Sequence, residues 1–380
     1  MISQPNLRLQ RPAMACILNA MVNDPEAPAS LGRAGGFAPL AGLLALGADL
    51  GAESAENADE SGDAEIVAWA AGALMNAAAA PDEAESDLAT HARAAAPALL
   101  GCVRPDGGSA ALNANAAGAL MNVTARSDAT VGDVLAREGA KRLFDLLAAS
   151  AEEPLVAAHA AGAIANLMTD VGGRADLVPL GGVRVLADAL ESALAADESD
   201  DLLCACCVAL LNGCHENAAA HEALADTPSG ISALVSCLAV GSSAVRAAAA
   251  GALLNASASR SCAEMVRDAA ADDADGGAKG GIDVLLECLS AGSQSLRSRA
   301  AGALLNIAAY GPDNRLAMLE MGALKKVVGA LSALGDGAAP ARHELHARLI
   351  GVVVNCALNP ACKHEILHVG GLKPLLEAVA

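Results

Sequence analysis

Apolar residues recur along this chain at helical spacing. Val183, Leu186 and Leu190 stand at i, i+3 and i+7, the stripe of a helix that buries one face and leaves the other in water. Other stretches are apolar almost all round, and these repeat. Ala71-Gly72-Ala73-Leu74-Met75-Asn76 returns as Ala117-Gly118-Ala119-Leu120-Met121-Asn122 and as Ala161-Gly162-Ala163-Ile164-Ala165-Asn166. It returns again as Ala250-Gly251-Ala252-Leu253-Leu254-Asn255 and Ala301-Gly302-Ala303-Leu304-Leu305-Asn306. Degenerate copies end at Asn19, Asn212 and Asn355, so eight copies follow one another at intervals of 43 to 57 residues.

A second signature is interleaved with the first: a small-residue pair followed by an apolar helical pattern, as in Gly181-Gly182-Val183-Arg184-Val185-Leu186 and Gly281-Ile282-Asp283-Val284-Leu285-Leu286. Variant copies start at Gly36, Ala96, Gly139, Gly230, Gly322 and Gly371. The pair ends one helix and turns the chain into the next, because Gly accepts positive φ at little cost. Each period therefore predicts a short helix, a Gly turn, an apolar helix, a polar loop and an Ala-rich helix ending near the Asn. None of these helices can bury its apolar face alone, so the units must stack.

A three-helix unit of this length, with a Gly pair before the second helix and Ala-Gly-Ala-Leu-x-Asn closing the third, resembles the armadillo repeat. HEAT repeats are the nearest competitor. The resemblance covers nearly the whole chain and implies an all-α, right-handed superhelical solenoid of about seven full repeats plus half-repeats at both ends, spanning residues 1–380 as a single domain. The half-repeats lack the polar outer face of a cap, so either the polypeptide extends further or a partner covers the ends. Extra length falls where loops belong. Acidic insertions are expected near 47–63, with Asp49, Glu53, Glu56, Asp59 and Glu60, and near 267–280, with Asp272, Asp273 and Asp275. Milder ones are expected at Glu191 to Asp201 and Ala333 to His343. They read as solvated loops.

Composition sharpens this picture. About a quarter of the residues are Ala, while one Trp, one Tyr and two Phe are the only aromatics. A core of Ala, Leu and Val requires close-packed helices, and the scarcity of β-branched and aromatic residues argues against a sheet protein. The net charge of −20 excludes a phosphate-binding nucleic-acid surface. With no run of eighteen consecutive apolar residues, no transmembrane helix is expected. The apolar stretch from Ala13 to Val22, after Arg8 and Arg11, resembles a signal peptide's apolar region, but Asn19 interrupts it and it belongs to the repeat. Eleven scattered Cys read as small apolar fillers in a reducing compartment, and the expected location is the cytoplasm, with the nucleus as alternative.

The repeat Asn residues are the candidate site: Asn76, Asn122, Asn166, Asn212, Asn255, Asn306 and Asn355. An amide at one fixed place in apolar helices bonds neighbouring backbone or lines a groove that grips an extended peptide; in the armadillo family the groove is its known use. Four residues before the Asn stand Gly72, Gly118, Gly162, Gly251, Gly302 and Gly351. Each disfavours a helix by about 0.5–1 kcal/mol, which points to close helix approach or to an open groove floor. Importin-α-like proteins carry Trp at this place, and its absence argues against classical nuclear-import recognition. Seven residues before the Asn stand Trp69, Asn115, His159, Ala205, Ala248, Arg299 and Arg348. Trp69 is a candidate anchor or a filler. Arg299 and Arg348 are candidates for a basic end of the groove or solvated charges.

Catalytic motifs are scarce. His364-Glu365-Ile366-Leu367-His368 fits the helical zinc-protease pattern, but Pro374 occupies the place of a third ligand, and the string coincides with the first helix of a repeat. Cys204, Cys206, Cys207 and Cys214 with His215 form the one Cys cluster; Cys206 and Cys207 replace the recurring Ala pair, so packing explains them. Sequons at Asn122 and Asn255 fall inside helices and are discounted. The sequence thus predicts a protein-interaction scaffold without enzymatic activity, cofactor or metal, binding an extended segment of a protein partner, with possible contacts end to end. The alternatives are the substrate-recognition part of a ubiquitin ligase, an Hsp70 co-chaperone and, remotely, a zinc hydrolase using His364, Glu365 and His368.

Overall fold

The computed structural model describes residues 7–22, 24, 26–50, 63–79, 86–196, 200–272, 278–290, 292–334 and 340–378. These residues fold into an all-α solenoid. They fall into two compact units, Met1–Val185 and Leu186–Ala380, built from the same repeat.

The first unit opens on the helix Leu7–Met21 and continues with the triplet Ala27–Arg33, Phe37–Leu50 and Asp63–Ala78. A pair follows, Ser86–Cys102 and Ala110–Thr124, then the triplet Asp128–Leu135, Gly139–Ala149 and Pro154–Leu167, and the short helix Val171–Leu177. Helix Gly182–Ala195 carries the chain into the second unit. There Asp200–Gly213 is followed by Ala218–Ala225, Pro228–Val240 and Ser243–Ala256, then by Arg260–Asp268, Gly281–Cys288 and Gln294–Ala309. Pro312–Glu320, Ala323–Leu334 and Pro340–Cys356 form the next triplet, and Pro360–His368 with Leu372–Glu377 complete the described residues.

The helices start and stop for local reasons. Ser109, Ser242 and Ser293 cap third helices, their hydroxyls accepting from the N–H of Leu112, Val245 and Leu296, which satisfies a donor the helix leaves unpaired. The turn between first and second helices depends on two different properties of its pair. Gly181 has φ +67°. Gly182 needs no such freedom but has no room: a Cβ there would lie 2.4 Å from Cζ of Phe144. At Glu138-Gly139, where one Gly of the pair is missing, Glu138 takes the left-handed place with φ 58° and Gly139 the crowded one. A left-handed non-Gly residue is disfavoured by about 1–2 kcal/mol. Glu138→Gly is therefore expected to raise the denaturant midpoint of the first unit, by about 1 kcal/mol; an unchanged or lower midpoint in urea titration would show that the position is unstrained.

Three expectations need correction. Ala96 starts no second helix: Ser86–Cys102 runs through without a break, because Ala94, Ala95 and Ala96 replace the Gly pair and none adopts positive φ. The insertion near 267–280 is not simply loop. After Asp268, Ala270–Asp272 pairs antiparallel with Ala278–Gly280, Ala271 opposite Lys279. Ala is a poor strand former, so burial of Ala271 and the Gly281 N–H bond to Ala269 O (2.9 Å) decide the local structure. Finally, helices Phe37–Leu50 and Gly182–Ala195 absorb the first residues of the insertions at 47 and 191. Residues 51–62, 197–199, 273–277 and 335–339, which carry much of the expected acidic loops, lie outside the described residues.

The core matches its composition. Ala116, Ala117, Ala119, Ala160, Ala161 and Ala163 are completely buried, so small side chains form much of the core of the third helices. Among the described residues no single helix is long and apolar enough to cross a membrane.

Candidate functional site

Five of the seven repeat Asn residues share one hydrogen-bonding rule. Asn122 donates Nδ2–H to the carbonyl of Met75 (2.9 Å), Asn166 to Met121 (2.7 Å), Asn255 to Leu211 (2.8 Å), Asn306 to Leu254 (3.0 Å) and Asn355 to Leu305 (3.2 Å). The acceptor is always the residue immediately before the preceding repeat's Asn. Such carbonyls lie near the end of a helix, and the Asn amide is an added donor to them: Met75 O and Met121 O also accept from the N–H of Ala79 and Ala125 (3.1 Å each).

The row seven residues earlier repeats the rule. Asn115 donates to Ala68 O (2.8 Å) and Arg299 donates Nη1–H to Ala247 O (2.6 Å). Arg348 donates to Ser298 O (2.8 Å) and Ser298 Oγ (3.0 Å). His159 Nδ1 lies 2.8 Å from Ala114 O, and since a carbonyl only accepts, Nδ1–H is the donor. Each acceptor again directly precedes the −7 residue of the repeat before. Where both rows are present, as between Ala110–Thr124 and Asp63–Ala78, two rows of side-chain bonds, two helical turns apart, rivet a third helix to the one before it.

The glycines at −4 lie between these rows, in a packed contact rather than over an open floor. A Cβ on Gly118 would lie 2.5 Å from Met75 Sδ and 2.7 Å from His159 Nδ1. At Gly251 the intruders are Leu211 Cδ1 at 2.3 Å and Arg299 Cδ at 3.3 Å; at Gly302 they are Leu254 Cδ1 at 2.6 Å and Arg348 Cζ at 3.3 Å. Met121 fills the same notch at Gly162, and Leu305 at Gly351. The string Ala-Gly-Ala-Leu-x-Asn is thus a stacking code, in which Gly is the notch, x the knob that enters the next notch, and Asn the rivet. Asn76 and Asn212 occupy the same half-buried place in their helices, and Leu18 lies 3.2 Å from the Cβ position of Gly72.

The rivets leave part of each amide over. Among the described residues nothing donates to Oδ1 of Asn122, Asn166, Asn255, Asn306 or Asn355, and all five are half-buried. Sequence reasoning missed two contributors, Thr124 and Ser257. They stand two residues after an Asn, and their hydroxyls lie 3.1 and 3.3 Å from Nδ2 of Asn166 and Asn306. A hydroxyl at that offset in two copies was the available signal.

The other candidates are placed as follows. Trp69 is half-buried, and the guanidinium of Arg11 lies 5.9 Å from its ring centroid, a cation–π contact; Arg11 also pairs with Glu65. Glu344 Oε1 lies 2.7 Å from Arg348 Nη2, which neutralises that cation. Arg299 has no carboxylate partner among the described residues, so it carries the uncompensated charge of its row. His364 and His368 are exposed on one side of helix Pro360–His368, with Glu365 Oε2 3.8 Å from His368 Nδ1. Among the described residues no three His, Cys, Asp or Glu gather as a metal ion needs.

In the Cys cluster, Cys206, Cys207 and Cys214 are buried, while His215 is exposed. Burial pushes the Cys214 thiol up to about 12, and likewise Cys356; Cys102 rises to about 11 for the same reason. Cys16 is exposed and Cys204 half-buried; the other nine thiols are buried. Intact mass after alkylation at pH 8 should show label on Cys16, then on Cys204, and on all eleven only in denaturant, because the thiolate is the nucleophile. Rapid native labelling of more than two thiols would contradict this packing.

No protein-family model matches the sequence, and no curated protein matches it. Solved structures do. An engineered protein from the Northeast Structural Genomics Consortium is 23% identical with a TM-score of 0.69, over 99% of this chain and 92% of that one. A designed armadillo repeat protein in complex with the peptide (KR)4 is 20% identical with a TM-score of 0.54, over 67% of this chain and 98% of that one. A computationally designed armadillo repeat protein for modular peptide recognition is 21% identical with a TM-score of 0.54, over 68% and 98%. The chain is an α-solenoid. Its fold is of the armadillo type.

Proposed function

We propose that this protein is a binding scaffold that holds an extended segment of a partner protein along the face formed by its third helices. One observation carries the reading: a row of half-buried Asn amides, each fixed by a bond to the preceding helix and each keeping Oδ1 open to a donor from outside. A side chain already held in place loses little entropy when it binds. Packed helices lie about 10 Å apart and an extended chain advances about 3.4 Å per residue, so one Asn meets roughly every third peptide N–H. The likeness to structures designed for peptide recognition agrees with this mode.

Side chains at −7 select among segments. A designed neighbour is in complex with a basic peptide; here the row of the second unit carries Arg299 and Arg348 instead. Arg299, without a carboxylate of its own, favours an Asp, Glu or phosphate on the segment, whereas Arg348 is already neutralised by Glu344. Selection from a random peptide library on the immobilised protein tests both parts. The expected binders are extended segments enriched in acidic residues, and Arg299→Glu should remove that enrichment and its salt dependence. Binders with no acidic preference that respond to neither change would remove Arg299 from the site.

A further inference from the structure

The knobs of the stacking code are not of one kind. In the second unit they are Leu211, Leu254 and Leu305, which fill the notches of Gly251, Gly302 and Gly351. In the first unit Met75 and Met121 take the same place, and each brings its sulfur to the notch. Sδ of Met75 lies 2.5 Å from the Cβ position of Gly118, and Sδ of Met121 lies 2.4 Å from that of Gly162. Both Met are half-buried, whereas Met14, Met21 and Met168 of the same unit are buried. A Leu knob is inert to mild oxidants; a thioether is not.

Each of these two residues serves its joint twice. The side chain fills the notch of the next third helix, and the carbonyl accepts from Asn122 (2.9 Å) or Asn166 (2.7 Å) of that helix. A sulfoxide cannot hold the first role. The sulfur already stands where a methyl group on the Gly would have no room, so an added oxygen has none on that side. Sulfoxide is also polar, and a polar group is unfavourable in an apolar contact unless a donor meets it. At Gly118 the neighbouring donor, Nδ1–H of His159, is already given to Ala114 O. The oxidised side chain therefore leaves the notch, and the joint loses its knob.

We propose that Met75 and Met121 are a paired oxidation site, through which hydrogen peroxide loosens the third helices of the first unit while the Leu knobs of the second unit stay in place. A lone pair on each sulfur attacks one peroxide oxygen and the O–O bond breaks. The hydroxide released takes the remaining proton from the new S–OH group and leaves as water. Sulfur is oxidised by two electrons and the peroxide is reduced by two. The site acts on the stacking of the first unit, so it stands whether or not the Asn face holds a peptide.

Limited treatment of the whole protein with hydrogen peroxide, followed by peptide mapping and urea titration, tests it. The one Trp of the chain, Trp69, lies on the same helix as Met75, so its emission follows the first unit. Sulfoxide is expected at Met75 and Met121, with Met14, Met21 and Met168 unmodified. The urea midpoint read from Trp69 should then fall by about 0.5–1 M. Met75→Leu with Met121→Leu installs the knob that the second unit already uses and keeps every Cys, so its midpoint should not move on treatment. Met265→Leu with Met321→Leu, which removes the half-buried Met residues of the second unit, should fall as the wild type does. Three results would overturn the proposal. Met75 and Met121 left intact at a dose that oxidises Met265 and Met321 means that the notches shield the sulfurs. Sulfoxide at both positions with an unchanged midpoint means that the notches tolerate the oxygen. An equal fall in the wild type and the Met75/Met121 variant means that oxidation acts elsewhere.

Discussion

Gly281→Ala should lower the unfolding free energy of the second unit by about 3 kcal/mol. The added methyl would lie 2.1 Å from the carbonyl oxygen of Val266, which is backbone and has no other rotamer to adopt. The helix Gly281–Cys288 would have to move away from Arg260–Asp268, carrying the buried Ile282, Leu285 and Leu286 with it. Gly329 makes the contrast. It lies inside helix Ala323–Leu334, and a Cβ there meets nothing within 4 Å. Gly329→Ala should stabilise the same unit by about 0.5–1 kcal/mol, through helix propensity alone. The same chemical change is thus expected to have opposite signs at two glycines of one unit. Urea titrations of both variants check this, and equal shifts would show that the close approach at Gly281 is not what holds it as Gly.

The second large effect is expected at the rivets. Asn255→Ala with Asn306→Ala removes the bonds to Leu211 O and Leu254 O and the contact with Ser257. At about 1 kcal/mol or slightly more for each bond, the pair should lower stability by about 2–3 kcal/mol. Repeat proteins melt through partly folded states when an interface between repeats weakens, so the loss should appear as a broader transition as well as a lower midpoint. A sharp transition at the wild-type midpoint would show that these amides are not structural.

The architecture was legible because the repeat is spelled in residues with narrow uses. Gly notches, Gly turns and a polar Asn at one phase mark the helices and their order without any partner information. The register between helices was not legible. Nothing in Ala250-Gly251-Ala252-Leu253-Leu254-Asn255 says that Leu254 serves the helix after it while Asn255 reaches back to the helix before it. That direction appears only when two copies are stacked. Arg348 shows the same limit: its place at −7 was visible, but its bonds to Ser298 and to Glu344, four residues earlier in its own helix, depend on side-chain geometry. The ladder at Ala270–Asp272 was hidden for a different reason. Ala favours helix, and only the packing of Ala271 against neighbouring helices makes the extended form worthwhile.

The claim that the Asn face holds an extended segment is tested most directly by the affinity of one selected peptide for three proteins: wild type, Asn255→Ala with Asn306→Ala, and a stability-matched control such as Leu331→Ala, which opens the core away from the amides. Fluorescence anisotropy at a temperature where all three are folded gives the comparison. Two hydrogen bonds of about 1 kcal/mol each correspond to roughly thirtyfold in Kd, so the Asn variant should bind about thirty times more weakly while the control binds as wild type does. Equal affinity for the wild type and the Asn variant would contradict the account.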